Sequence, residues 1–190
     1  MPPKIKVTRE DILAAAVELV RRSGAQALNA RAIAAMLNCS TQPVFSNFAT
    51  MEELRLAVVA QAEARCEAYI QRETESGQYP PYKASGMAYI RFAKEEQELF
   101  RLLYMRDRSD EEESDEAVAS DLGRRMEHLV QGNTGLSDGQ AQLFHLEMWA
   151  YVHGIAAMYA TGFLDLPTEL ISRMLTDAYQ GLCKQFGTEG

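Results

Sequence analysis

Apolar residues recur along this chain with a period near 3.6 and almost never with a period of two. Ile12, Ala16, Leu19 and Val20 stand at i, i+4, i+7 and i+8, one face of a first helix. Thr8-Arg9-Glu10-Asp11 ahead of it combines a cap with acids in the first turn, and Gly24 supplies the stop. Asn29 opens a second helix with Ile33, Ala34 and Leu37 inward, and Asn38-Cys39-Ser40 interrupts it. A short third helix carries Val44, Phe45 and Phe48, with Pro43 in its first turn, where a missing N–H is tolerated. Thr50 then caps a long fourth helix that runs through Val58, Ala62, Cys66, Tyr69 and Ile70 to about Glu75. Gly77, Pro80 and Pro81 make the clearest break in the chain.

Beyond that break, Met87, Ile90 and Phe92 belong to one helix and Leu99 to Tyr104 to another, parted near Glu95. Arg106 to Glu116 is acid-rich and reads as an exposed loop or frayed helix start. Leu122 to Val130 is helical, ended by Gly132-Asn133-Thr134-Gly135; Ser137 caps a helix from Gln140 to about Thr161. Gly162 to Pro167 breaks the chain, and Thr168 begins a final helix to about Phe186. With no alternating strand-like runs and no internal repeat, the fold class is all-α.

Composition sharpens this picture in four places. The chain has 190 residues, enough for one large domain or two small ones, and no apolar run approaches membrane-spanning length. Residues 1–7 are short and basic without an apolar segment behind them, so a cytoplasmic protein is expected. Cys39, Cys66 and Cys183 are scattered, and His128, His145 and His153 lack ligand spacing, so neither a disulfide framework nor a metal site is expected. The net charge of −8 hides an asymmetry: residues 1–50 carry six Lys/Arg against three acids, while residues 51–190 carry 13 against 24. A small basic head on an acidic body suggests a phosphate-facing segment.

Ala34, Asn38 and Val44 meet the needs of a helix-turn-helix. A small residue lets two helices touch, Asn tolerates a left-handed turn, and Val anchors the second helix. Leu19 and Val20 can pack against Val44, Ile33 and Leu37. Residues 8–54 resemble the DNA-binding domain of the tetracycline-repressor family. Thr8, Ile12, Leu13, Ala15, Ala16, Leu19 and Gly24 match its first helix; Arg31-Ala32-Ile33-Ala34 with Leu37 match its second. Ser40 to Phe48 match its turn and recognition helix, and Glu52-Glu53-Leu54 the start of its fourth. Glu98-Leu99-Phe100-Arg101-Leu102-Leu103 and Trp149-x-x-x-His153-Gly154 resemble segments of ligand-sensing domains in some members. The family usually has Gly in place of Asn38, Tyr in place of Phe45 and often Lys in place of Met51. Its Tyr and Lys touch phosphates, so this chain lacks one hydroxyl donor and one cation there.

The resemblance implies a helix-turn-helix DNA-binding domain over residues 1–50 and a larger helical ligand-sensing and dimerisation domain over 51–190. It implies a regulator, a repressor by the family's habit, that leaves its operator when a small-molecule effector binds. The recognition helix would enter the major groove, with Gln42 pairing to adenine and Thr41 contacting a thymine methyl or a phosphate. Ser40, Ser46 and Asn47 would meet phosphates; Arg31, with Lys4, Lys6 and Arg9 of the arm, would release counterions. Phe45 is a DNA-facing candidate for which packing is the commoner role. A palindromic duplex calls for a homodimer, expected through the last two helices. These carry Leu143, Leu146, Trp149, Val152 and Ile155, then Leu170, Ile171, Met174, Leu175, Ala178, Tyr179 and Leu182. Tyr89, Phe92, Phe100, Tyr104, Trp149, His153 and Met158 are candidate effector-lining residues, although each alone is more often plain core. No phosphate loop, nucleophile elbow or metal motif points to an enzyme, and no cofactor is expected. An interaction or ligand-binding protein that has lost DNA binding is the main alternative, ahead of a helical-bundle enzyme.

Overall fold

The computed structural model describes residues 7–105 and 121–188. Lys4, Lys6 and the acid-rich stretch from Arg106 to Glu116, expected as an exposed loop or frayed helix start, lie outside the described residues. Among the described residues there are nine α-helices, one 3₁₀ turn and no strand. They run α1 Arg9–Ser23, α2 Ala30–Met36, α3 Gln42–Asn47, α4 Met51–Ser76, α5 Pro81–Glu95, α6 Gln97–Tyr104, α7 Asp121–Thr134, α8 Asp138–Ala160 and α9 Thr168–Gln185. No helix among these is long and apolar enough to cross a membrane.

Local chemistry places the ends. At α1 the Asp11 N–H donates to Thr8 Oγ1 (3.1 Å) while the Thr8 N–H donates to Asp11 Oδ2 (3.0 Å), a reciprocal box that satisfies two otherwise orphaned donors. Gly24, at φ +79°, ends the helix with its N–H on the Val20 carbonyl. Asn29 caps α2 through the Ala32 N–H (2.9 Å), and Thr50 caps α4 through the Glu53 N–H (3.0 Å). The chain leaves α5 at Glu95 and re-enters a helix at Gln97, with Glu96 between. The helix α7 ends within the segment Gly132-Asn133-Thr134-Gly135 that was expected to stop it, passing through Gly132 to Thr134 and stopping at Gly135, φ +71°. One glycine inside a helix costs only about 1 kcal/mol, and the left-handed residue that ends this one comes three positions later.

The chain packs into two compact units. The first gathers the chain through Glu67 together with the segment that begins at Glu96. Its core holds Ile12, Ala16 and Val20 of α1, Ile33 of α2, Val44, Phe48, then Leu54, Val58 and Ala62 of α4, and Leu99 and Phe100 of α6. Leu19 and Leu37, read as fully inward, are only half-buried, and buried Phe48 lies just past the end of α3. The helix-turn-helix segment expected to end near residue 50 thus shares its packing unit with the first part of α4 and with α6.

The second unit contains Ala68–Glu95 and the three C-terminal helices. Here α5 and α8 run side by side in the same direction: Tyr82 meets His145, Tyr89 meets His153, and Lys94 stacks over Tyr159. Gly86 makes room for the neighbouring helices, since a Cβ there would stand 3.3 Å from Leu175 Cδ1 and 3.4 Å from Val152 Cγ2. Phe92, Phe144, Ile155, Tyr159, Ile171 and Leu175 fill the interior. Buried Glu73 pairs with Arg91, and the Tyr69 hydroxyl donates to Glu95 (2.8 Å), which fastens the end of α4 to α5.

Candidate functional site

The corner between α2 and α3 is bent as its residues require. Asn38 sits at φ +48°, the left-handed region that few side chains other than Asn enter readily. Its N–H donates to the Ala35 carbonyl (3.2 Å), and the Cys39 N–H donates to that of Ala34 (2.9 Å), which tightens the turn. Ala34 is buried where a larger side chain would hold α2 away, and Val44 and Phe48, four residues apart, seat α3 on the core. The opposite face of α3 therefore points out. Gln42, Phe45 and Ser46 are exposed, as is Ser40 ahead of the helix, and Thr41 and Asn47 are half-buried. Phe45 is 52% exposed, so the packing role favoured for it from sequence is not what the fold gives it.

Several candidate donors are already engaged. The Ser46 hydroxyl donates to the Gln42 carbonyl (2.9 Å), and the Asn47 amide donates to that of Pro43 (2.9 Å). Arg9 is also committed. Its Nη1 donates to the Asn47 carbonyl (2.7 Å) and Glu53 Oε1 (3.0 Å), while its guanidinium lies over the Phe48 ring at 3.9 Å. It joins α1 to the end of α3 and the start of α4 instead of standing free in an arm. The Ala49 N–H and Arg9 together hold the Glu53 carboxyl below the usual range.

Among the described residues of the basic head, three of the four arginines are neutralised in this way. Arg22 and Arg21 bind Glu18, and Arg21 and Arg65 converge on Glu96, a carboxylate only 5% exposed. Arg55 pairs with Glu52, and Arg101 with Glu98. Among the described residues of this unit, Arg31 is the one cation without an ion pair, and it is exposed in the first turn of α2.

The expected effector-lining residues are divided between the two units. Phe100 and Tyr104 belong to the first unit, where their rings stand 5.0 Å apart and the Tyr104 hydroxyl lies 4.0 Å from Cys66 Sγ. Burial pushes the Cys66 thiol up to about 12, so it stays a neutral, inert thiol. Tyr89, Phe92, Trp149, His153 and Met158 belong to the second unit. There Tyr89 Oη lies 3.0 Å from His153 Nδ1, and the His153 ring stacks on Trp149 at 4.9 Å and 18°. Phe92 is fully buried and meets Tyr69 edge-on, an ordinary core contact. Met158 is half-buried. A second Tyr–His pair, Tyr82 with His145 at 3.1 Å, was not foreseen in that role. Burial lowers both imidazoles, so near neutral pH they accept or donate as neutral rings.

A family profile described as "Tetracyclin repressor-like, C-terminal domain" matches residues 82–178, just over half of the chain. The chain belongs to the tetracycline-repressor family. Solved structures extend the likeness to the whole fold. A TetR-like transcriptional regulator from Rhodococcus sp. RHA1 is similar with a TM-score of 0.68 and 17% identity, over 96% of this chain and 98% of that one. A protein of unknown function from the same organism gives 0.67 and 23%, over 97% of each. A TetR-family member from Streptomyces coelicolor A3 gives 0.65 and 18%, over 90% of this chain and 96% of that one. No curated protein matches the sequence significantly. Within the tetracycline-repressor frame, the all-helical fold read from the sequence is the observed one. What sequence reading missed is the Arg21–Glu96–Arg65 cluster. Its arginines stand 75 and 31 positions from Glu96, and nothing local distinguishes Glu96 from Glu95 and Glu98 beside it.

Proposed function

We propose that this chain is a DNA-binding transcription regulator, a repressor that acts as a homodimer on a palindromic operator and is released by a small-molecule effector. One observation carries the reading: the left-handed turn at Asn38 presents Gln42 and Phe45 outward from a helix whose other face is locked into the core. An element so placed suits the major groove, where Gln42, whose amide has no partner among the described residues, can pair with adenine N6 and N7. Ser40 and Thr41 have hydroxyls without a partner among the described residues, and Arg31 has a free guanidinium; these suit phosphates that fix register. In the second unit, the Tyr89–His153–Trp149 cluster offers an aromatic face with one polar handle, the chemistry of a small-molecule contact. Leu143, Leu146 and Leu170 stand exposed on α8 and α9, which supports pairing of two chains along these helices. By sequence α4 runs through both units, so an effector that displaces its C-terminal part acts on the DNA-reading head.

The test is selection of duplexes from a random pool by the full chain, followed by titration of the selected site at several salt concentrations. A palindromic consensus with binding that falls as salt rises supports the reading. Recovery of no preferred sequence sinks it and leaves an interaction or ligand-binding protein. Compounds that perturb Trp149 fluorescence should then weaken operator binding.

A further inference from the structure

We propose that Phe45 reads the 5-methyl group of a thymine, one or two base-pair steps from the adenine paired to Gln42. This deepens the DNA-binding reading above and rests on it. The stretch from Ser40 to Thr50 contains no charged residue, so this part of the surface has no cation of its own for phosphates. Ser46 and Asn47 donate to carbonyls of their own helix. The side chains that α3 still offers to a partner are the Gln42 amide and the Phe45 ring, 52% exposed. They stand three residues apart, neighbours on one helical face separated by about 4.5 Å along the axis. Base pairs rise about 3.4 Å per step, so the two side chains address positions one or two steps apart.

A phenyl ring carries no donor for a phosphate oxygen. Among the base edges of the major groove, the apolar feature that complements it is the thymine methyl. The ring's direction is also set, because Val44 and Phe48 are nearly fully buried and fix the rotation of α3 on the core. Thr41, the candidate that sequence suggested for a thymine methyl, precedes the helix, is half-buried, and presents a hydroxyl beside its methyl. Phe45 offers the larger and drier surface.

The experiment uses the full-length protein and its selected duplex, with each thymine replaced singly by deoxyuridine, which removes only the methyl group. At one position per half-site the replacement should weaken binding about fourfold, the effect of uncovering one methyl-sized group. Phe45→Ala, which removes the ring from both half-sites, should bind the thymine duplex about as weakly as wild type binds a duplex with deoxyuridine at both symmetric positions, and should no longer distinguish the two. Phe45→Leu, still apolar, should keep a reduced discrimination. Helical circular dichroism should be unchanged in both variants, since the side chain is half outside the fold. A uniform response to deoxyuridine in wild type, or a methyl preference that persists in Phe45→Ala, overturns the assignment while leaving DNA binding intact. Failure to select any duplex overturns both readings together.

Discussion

Arg21 and Glu96 meet through a two-point contact, Nε to Oε2 at 2.6 Å and Nη2 to Oε1 at 3.0 Å, across 75 positions of sequence. Arg65 Nε adds a third bond to Oε1 at 2.8 Å. One carboxylate between α5 and α6 therefore ties α1 to α4. Glu96 is buried while both guanidiniums keep a third or more of their surface in water, so each arginine can rehydrate if the acid is removed. Glu96→Ala should cost roughly 2 kcal/mol, a value discounted for that screening. Arg21→Ala should cost about 1 kcal/mol, because Arg65 remains to neutralise the acid. Urea unfolding followed by helical circular dichroism measures both; a Glu96→Ala midpoint equal to wild type would show that the cluster contributes nothing.

Acid should weaken the two units in different ranges. Burial holds His145 and His153 below the ordinary 6.5, so as pH falls through 6.5 the unfolded chain takes up protons that the folded one refuses. Their contribution is complete above pH 6.5 and drains away as pH falls toward their lower folded values. Asp11, Glu18 and Glu53 in the first unit are held below their ordinary 3.8 and 4.5 by Thr8, by Arg22 and Arg21, and by the Ala49 N–H with Arg9 respectively. Their contribution is complete above those ordinary values and is lost only as pH falls through the depressed folded ones. Trp149, the single tryptophan, stacks on His153 and so reports the second unit. Its unfolding midpoint should begin to fall near pH 6.5, and the change between pH 6.5 and 4.5 should shrink in the His145→Asn, His153→Asn double variant. A flat midpoint across that interval in wild type would contradict the burial argument.

The parts of this architecture legible in sequence were those governed by neighbours. Thr8 with Asp11, Asn29 with Ala32 and the left-handed Asn38 each act within three or four residues, and each stands where the pattern put it. Val44 was also legible as the anchor of α3, but the rotation of that helix was not, since packing was favoured for Phe45, which stands 52% exposed. What remained hidden was partnership at long range. Nothing near Arg9 announces that Glu53 and Phe48 will occupy it, and nothing near Phe45 says that the core is full without it. The aromatic lining candidates divide, Phe100 and Tyr104 in the first packing unit and the others in the second, and helical spacing alone carries no mark of that division.

The charge inventory of the first unit makes a specific statement about salt. Each phosphate contact adds about one to the slope of log affinity against log salt. Arg31 is free to make such a contact, whereas Arg9 is held by Glu53 and the Asn47 carbonyl. Arg31→Ala should therefore flatten the slope by about one for each DNA-bound chain and weaken all sequences alike. Arg9→Ala should leave the slope unchanged and instead lower thermal stability. Equal slopes for wild type and Arg31→Ala would remove Arg31 from the phosphate contacts.

The apolar residues of α8 and α9 separate into two sets that should respond oppositely to charge. Val152, Ile155, Ile171 and Leu175 are buried within one chain, packed in the unit that contains α5. Leu143, Leu146 and Leu170 are left exposed, and Met174, Ala178 and Leu182 are half-buried along the same helices. If two chains associate through this surface, Leu146→Glu or Leu170→Glu places an unpaired carboxylate in a dry contact and should yield folded monomers in sedimentation at micromolar concentration. Operator affinity should fall with it, because two half-sites must be held at a fixed spacing. Val152→Glu or Leu175→Glu buries the same charge inside a single chain, where no partner can withdraw to relieve it, and should abolish the helical signal altogether. Persistence of a wild-type dimer in both Leu146→Glu and Leu170→Glu would move the pairing surface away from α8 and α9.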